Sequence, residues 1–176
     1  MSAQAFSIGI LTLSDTGAAG QRIDRSREEI VNLLDKLLAD GKCEGQVAQR
    51  AILPDDRERI AKQLCTWSDD VGLDLIITTG GTGLGPRDVT PEATRDVSDY
   101  LVPGMAEAMR QVGLAQTPMA MLSRAVVGVR GRTLIVNLPG SPKGARESLA
   151  ALLPALPHAL EILRGRGGED RAHGQL

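Results

Sequence analysis

The sequence predicts an α/β sandwich with a mostly parallel sheet, right-handed crossovers and one antiparallel hairpin strand. Two observations carry that expectation. Short apolar runs rich in β-branched residues alternate with longer stretches whose apolar residues recur at helical spacing. Two further runs, 125–129 and 133–137, flank Arg130, Gly131 and Arg132, which is the layout of a hairpin.

Size and composition bound what such a chain can be. At 176 residues it is expected to form one domain over residues 1–164, large enough to bury a core without disulfides or metals. Residues 165–176, GRGGEDRAHGQL, are polar and glycine-rich and are expected to be a disordered tail. A net charge of −2 and a pI near 5.7 exclude general attraction to nucleic acid or anionic membrane. Phe6, Trp67 and Tyr100 are the whole aromatic complement, so base-stacking platforms are not expected either. No apolar run approaches the ~18 residues of a membrane span. Cys43 and Cys65 lack metal-site spacing and the N-terminus lacks a signal-peptide pattern, so the expected location is the cytoplasm, with free thiols.

Residues 6–13, FSIGILTL, read as a first buried strand that Ser14, Asp15, Thr16 and Gly17 break. A helix follows from Ser26, with Glu29 completing a capping box. Ile30, Leu33, Leu34, Leu37 and Leu38 form its apolar face before Gly41 stops it. Residues 46–53 are a second, weaker strand ending at Pro54, Asp55 and Asp56. The next helix carries Ile60, Leu64 and Trp67 on one stripe, and Asp55 and Glu58 have the spacing of a capping pair.

Residues 73–79 are apolar and β-branched enough for a strand buried on both faces, ending at Gly80. Gly80, Gly81, Gly83 and Gly85 then allow positive φ and leave backbone N–H groups unshielded, as an anion cradle requires. Thr90 is a good N-cap and Pro91 suits the first helical position, so a helix running toward Tyr100 should start beside the loop. A short helix follows with Met105, Ala108, Met109 and Val112 on one side, its methionines serving as core filler rather than metal ligands. The second hairpin arm ends in NLPGSPKG. Ser141 can cap and Pro142 can open a helix that continues to about Leu153, before Pro154 and Pro157.

In a parallel sheet, ligands bind at the carboxyl ends of the strands. Loops 14–20, 54–56, 80–88 and 138–144 meet that condition. The glycine loop matches neither GxxxxGK[ST] nor GxGxxG, because Pro86 replaces the third glycine of the latter. Its place between a buried strand and a helix start favours anion binding. Asp88, Asp55 and Asp56 each have a structural reading as helix-start or turn residues. Jointly they put acids beside a phosphate cradle, where Mg²⁺ is commonly held by one or two carboxylates plus phosphates, and the two readings stand level. Lys143 could supply a point charge to a phosphate or simply be exposed. Asn137 could bond a ligand or tie down its own loop, and Ser14 and Asp15 are equally open. His158 and His173 lie far from these motifs and take no catalytic role.

Five segments carry a resemblance: TTGGTGLGPRDVTPEAT at 78–94, LSDTG with DRS within 13–26, LPDD at 53–56, MLSRAVVGVRG at 121–131 and NLPGSPKG at 137–144. Over residues 6–164 the chain resembles the molybdopterin adenylyltransferase family, which includes the bacterial MogA and MoaB proteins and the G-domains of gephyrin and its plant counterpart. The resemblance implies a three-layer α/β sandwich with helices on both faces, usually a homotrimer, with possible transient contacts to other molybdenum cofactor enzymes. It implies transfer of AMP from Mg-ATP to the terminal phosphate of molybdopterin, so that ATP and molybdopterin are substrates and Mg²⁺ the cofactor. Asp55 and Asp88 match the family's functionally important acids and are the expected catalytic and metal-holding residues. Gly80, Gly81, Thr82 and Gly83, with Pro139, Gly140, Ser141 and Pro142, match its molybdopterin-holding loops. Thr90, Lys143, Ser14, Asp15 and Asn137 complete the expected substrate site. Arg27 stands where members often carry glycine in Asp-x-Ser-Gly, here Asp24, Arg25, Ser26 and Arg27. A non-catalytic molybdopterin carrier is the competing reading.

Overall fold

The structure, a computed structural model, describes residues 5–14, 25–39 and 45–165. In chain order its elements are β1 (Phe6–Leu13), α1 (Arg25–Ala39), β2 (Gly45–Leu53), α2 (Arg57–Cys65) with a π turn (Thr66–Asp70), β3 (Leu75–Thr79) and α3 (Thr90–Val97). They continue with β4 (Tyr100–Leu101), α4 (Pro103–Leu114), a 3-10 turn (Pro118–Leu122), β5 (Val127–Arg130), β6 (Thr133–Leu138), α5 (Pro142–Leu152) and α6 (Leu156–Leu163). One six-stranded sheet runs in the order β2-β1-β3-β6-β5-β4.

Strand alternation sorts the core into two clusters. Ile8 and Ile10 of β1, Leu75 and Ile77 of β3, and Leu134, Val136 and Leu138 of β6 turn to one face, against Ile30 of α1, Met109 of α4, Leu149 of α5 and Leu160 of α6. Leu11, Leu13, Ile76 and Ile135 turn to the other, against Ile60 and Leu64 of α2, Trp67, and Ala93 and Val97 of α3. Helices therefore cover both faces, and the strands buried on both sides read as the continuous apolar runs seen in the sequence.

β2, β1, β3 and β6 are parallel neighbours, with Ile10 opposite Ile77 and Ile77 opposite Val136, so their carboxyl ends lie together. β5 returns antiparallel to β6 through Gly131, at φ 56, and Arg132, as the hairpin pattern predicts. From β1 the chain first adds a strand on one side, β2, and then crosses to the other, β3. The boundary between β1 and β3 is thus the switch point where open α/β sheets bind ligands.

Several local expectations are corrected. The helix expected to run toward Tyr100 stops at Val97; Ser98 is extended, and Tyr100–Leu101 pairs antiparallel with β5 as an unforeseen edge strand. Thr90 is not the cap of α3 but its first residue, preceded by Val89, which makes no side-chain cap bond. Asp56 rather than Asp55 caps α2, accepting from the Arg59 N–H at 2.9 Å. On α4 the buried face is Ala106 and Met109, while Val112 is exposed. Asp15, Asp24, Cys43, Gly41, the tail after Gly165, and the side chains of Ser26 and Arg27 lie outside the described residues.

Candidate functional site

The glycine loop sits where the parallel strands end, and its geometry follows from what must pass close to it. Gly80 and Gly81 take φ of 105 and 63, conformations that disfavour a side chain. A Cβ on Gly80 would lie 2.4 Å from the Leu13 carbonyl oxygen, so the loop begins pressed against the end of β1. Gly80 donates its N–H to Leu138 O at 3.1 Å and accepts from Thr90 Oγ1 at 2.9 Å. Thr90 also donates its N–H to Gly81 O at 3.2 Å. A Cβ on Gly81 would meet Thr90 Oγ1 at 2.4 Å and Asp55 Oδ1 at 3.0 Å. Glycine at 81 therefore lets the start of α3 and the Asp55 carboxylate reach the loop together.

The cradle expected over 80–83 narrows by one residue. The Gly80 N–H is committed to Leu138, whereas Gly81, Thr82 and Gly83 donate their N–H groups to nothing among the described residues. Consecutive unspent N–H groups at a switch point are what an anionic ligand needs.

One acid, Asp55, approaches this loop from the end of β2, and the other, Asp88, belongs to the loop itself. Asp55 follows β2, and its Oδ1 lies against Gly81 and is withdrawn from solvent. Asp88 accepts the Gly85 N–H on Oδ2 at 2.8 Å and returns its own N–H to Gly85 O at 3.0 Å, closing a turn. Its structural reading is thus realised, but an ionised carboxylate has further lone pairs to offer. No cluster of three or more His, Cys, Asp or Glu occurs among the described residues. One or two carboxylates beside a phosphate cradle fit Mg²⁺, which is usually completed by substrate oxygens and water rather than by an all-protein cage.

The second loop, 138–144, packs directly on the first. Thr79 Oγ1 donates to Pro139 O at 2.9 Å, and a Cβ on Gly140 would lie 3.3 Å from Gly80 Cα. Ser141 caps α5 by accepting the Gly144 N–H, and Pro142 occupies the first turn, as expected. Lys143 is 67% exposed with its Nζ 3.8 Å from Glu147 Oε1, an i,i+4 pair on the first turns of α5. Asn137 is wholly buried. It donates to Thr78 Oγ1 at 3.0 Å and Thr94 Oγ1 at 2.9 Å and accepts from the Val126 N–H, so it ties strands and helix together behind the site. Thr90 likewise acts from behind, on the Gly80 carbonyl. Ser14 is half-buried and its N–H bonds Leu53 O at 3.0 Å, joining the first two loops.

A cleft of about 300 Å³ opens between these loops and the helical layer. Thr82, Gly83, Pro139 and Ser141 form one wall; Met109, Met119 and Leu122 form much of the other. An edge of unspent N–H groups next to an apolar slot suits a ligand with a charged end and a flat ring.

One residue of the site had no role assigned from the sequence. Arg124 donates its N–H to Thr82 O at 2.9 Å and its Nε to Gly83 O at 2.7 Å, while its Nη2 and Nη1 bond the Asp88 carbonyl and Glu92 Oε1. It lies inside the quoted MLSRAVVGVRG segment, but contacts reaching 41 residues along the chain leave no local pattern.

Fold and site together define an α/β protein whose sheet carries a cradle of unspent N–H groups and an adjoining cleft at its topological switch point. Residues 9–158 match the family described as "Probable molybdopterin binding domain", and the chain belongs to that family. It is 40% identical over 162 residues to the molybdopterin adenylyltransferase of Helicobacter pylori strain J99, covering 92% of this chain and 90% of that protein. It is 34% identical to the molybdopterin adenylyltransferase of Escherichia coli K12, covering 90% and 85% respectively. Among solved structures, the molybdopterin biosynthesis enzyme MoaB of Thermus thermophilus superposes with a TM-score of 0.82 at 58% identity, over 91% of this chain and 97% of that one.

Proposed function

We propose that this chain is a molybdopterin adenylyltransferase that transfers AMP from ATP to the terminal phosphate of molybdopterin and releases pyrophosphate. The observation that carries the reading is the glycine loop with unspent N–H groups at 81–83, the Asp55 carboxylate against Gly81 and the loop's own Asp88 carboxylate against Gly83 and Gly85. The names of the relatives supply the substrates.

In this reading an oxygen of the molybdopterin phosphate attacks the α-phosphorus of ATP. The bond from that phosphorus to the bridging oxygen breaks, and pyrophosphate leaves with the electron pair. The substrate is itself the nucleophile, so no nucleophilic side chain is needed, and catalysis consists of positioning and charge stabilisation. The N–H groups of Gly81, Thr82 and Gly83 hold phosphate oxygens, and the 138–144 loop and cleft seat the pterin end. Asp55 and Asp88 hold Mg²⁺, which when bound neutralises charge on the transferring phosphates. Ser14 borders the same end of the sheet, Asp15 is assigned to the substrate site by the family resemblance alone, and Lys143 adds positive field from the rim. A cytoplasmic homotrimer, meeting other molybdenum cofactor enzymes transiently, belongs to the same reading.

Purified protein incubated with molybdopterin and Mg-ATP should release pyrophosphate and form adenylyl-molybdopterin. Molybdopterin binding without pyrophosphate would instead make it a carrier.

A further inference from the structure

We infer that Arg124 is the positioning residue that turns the peptide planes of the glycine loop so that their N–H groups face the phosphate. The inference rests on the adenylyltransferase reading. In a trans peptide the carbonyl and the N–H of the following residue point in opposite directions. Arg124 draws the Thr82 carbonyl onto its own N–H at 2.9 Å and the Gly83 carbonyl onto its Nε at 2.7 Å. The N–H groups of Gly83 and Leu84 are thereby turned away from Arg124, on the opposite side of those two planes. A third carbonyl, that of Asp88, is held by Nη2 at the far end of the loop.

The middle of the loop needs such a clamp because Thr90 holds only the Gly80 and Gly81 carbonyls and Asp88 only Gly85. Glycine is nearly indifferent to the sign of φ, so a glycine-rich loop can flip its peptides, and a flipped plane would aim a carbonyl dipole at the incoming anion. Arg124 satisfies those carbonyls behind the loop. The guanidinium is planar and forked, with donors enough for Gly83, Asp88 and Glu92 together; a lysine ammonium on a flexible stem lacks that geometry. Glu92, on the first turn of α3, fixes the guanidinium in turn. The chain of contacts therefore runs from α3 through Glu92 and Arg124 to the loop, and Asp88 is positioned by the same fork.

The test is Arg124→Lys and Arg124→Ala in the full chain, with turnover read by pyrophosphate release and loop order by hydrogen exchange of residues 80–89. We expect kcat to fall about a hundredfold in Arg124→Lys, the scale of a misplaced reacting group, while the KM for ATP changes only a few-fold. Exchange should rise in 80–89 and stay unchanged in the core strands. Free guanidinium or methylguanidinium should restore part of the turnover of Arg124→Ala and part of its loop protection. A lysine variant with wild-type kcat and wild-type exchange in 80–89 would overturn the inference, as would an alanine variant whose losses follow global unfolding and are not rescued. If the wild-type chain binds molybdopterin but releases no pyrophosphate, the adenylyltransferase reading fails, and loop exchange with guanidinium rescue still decides the role of Arg124.

Discussion

Thr90 and Gly80 are joined by a 2.9 Å hydrogen bond from the threonine hydroxyl to the glycine carbonyl, and both residues are buried. This bond closes the glycine loop onto the first turn of the helix that follows it. Thr90→Val keeps the volume and removes the donor, leaving a buried carbonyl without its hydroxyl, at a cost of about 1–3 kcal/mol. Urea denaturation should register that loss, and Thr90→Ser, which keeps the hydroxyl, should recover much of it. Equal stability of the valine and serine variants would mean that the bond contributes nothing.

Gly80 and Gly131 separate two costs that a single substitution confounds. Both have positive φ, 105 and 56, but a Cβ on Gly80 would strike the Leu13 carbonyl at 2.4 Å, whereas at Gly131 nothing lies within 4 Å. Gly131→Ala should therefore lose only the conformational term, about 1 kcal/mol. Gly80→Ala should lose roughly 3 kcal/mol, since the end of β1 or the loop must move as well. Because that movement displaces the site, its pyrophosphate release should also collapse, while Gly131→Ala, at the hairpin, should turn over normally.

Asp88 both closes a turn and stands as a proposed metal-holding acid, and Asp88→Asn tells the two apart. Asparagine can still accept the Gly85 N–H through its amide oxygen, so the turn survives while the charge is lost. If the charge holds Mg²⁺, Asp88→Asn should be as inactive as Asp88→Ala, with molybdopterin binding retained in both. If the turn is what matters, Asp88→Asn should work nearly as well as wild type. The Asp55 Oδ1 lies against Gly81 out of solvent, so Asp55→Ala should abolish pyrophosphate release while leaving molybdopterin binding, and retained turnover would remove Asp55 from the site.

The parallel core and the meeting of the loops at one end of it were legible because each rests on local signals. β1, β3 and β6 are buried on both faces and so read as continuous apolar runs, and the loops that follow them carry glycine, proline and aspartate. What sequence reasoning missed lies in contacts between distant residues. Tyr100 and Leu101 are exposed and form a strand only because β5 is beside them. Thr90 has the chemistry of a cap, but the Gly80 carbonyl ten residues earlier claims its hydroxyl. Asp55 and Asp56 are alike as sequence, and only the helix axis decides which of them caps. Asn137 sits at the end of a strand in a loop motif, and the bonds to Thr78 and Thr94 that turn it inward cannot be read from its neighbours.

Asp74 lies at the opposite end of the sheet, just ahead of β3, and its ion pair makes stability depend on acid pH. Arg164 grips it with two bonds of 2.7 Å, Nε to Oδ1 and Nη2 to Oδ2, and stacks its guanidinium 4.3 Å from the centroid of the Phe6 ring. Ser7 adds its N–H at 2.7 Å and its hydroxyl at 2.9 Å. Burial pushes the Asp74 carboxyl up, but the bonds from Arg164 and Ser7 together outweigh it and hold the group below the ordinary aspartate value of 3.8. The unfolded chain therefore binds this proton more readily than the folded one. The stabilisation is complete above that ordinary value and is lost as pH falls below it through the folded value. Arg164→Ala should cost about 2 kcal/mol near neutral pH, the scale of hydrogen bonds to a charged group that is mostly out of water. Its denaturation midpoint should then depend less on pH below about 4 than that of the wild type. Parallel acid titrations of the two proteins would mean that Asp74 is not held below its ordinary range.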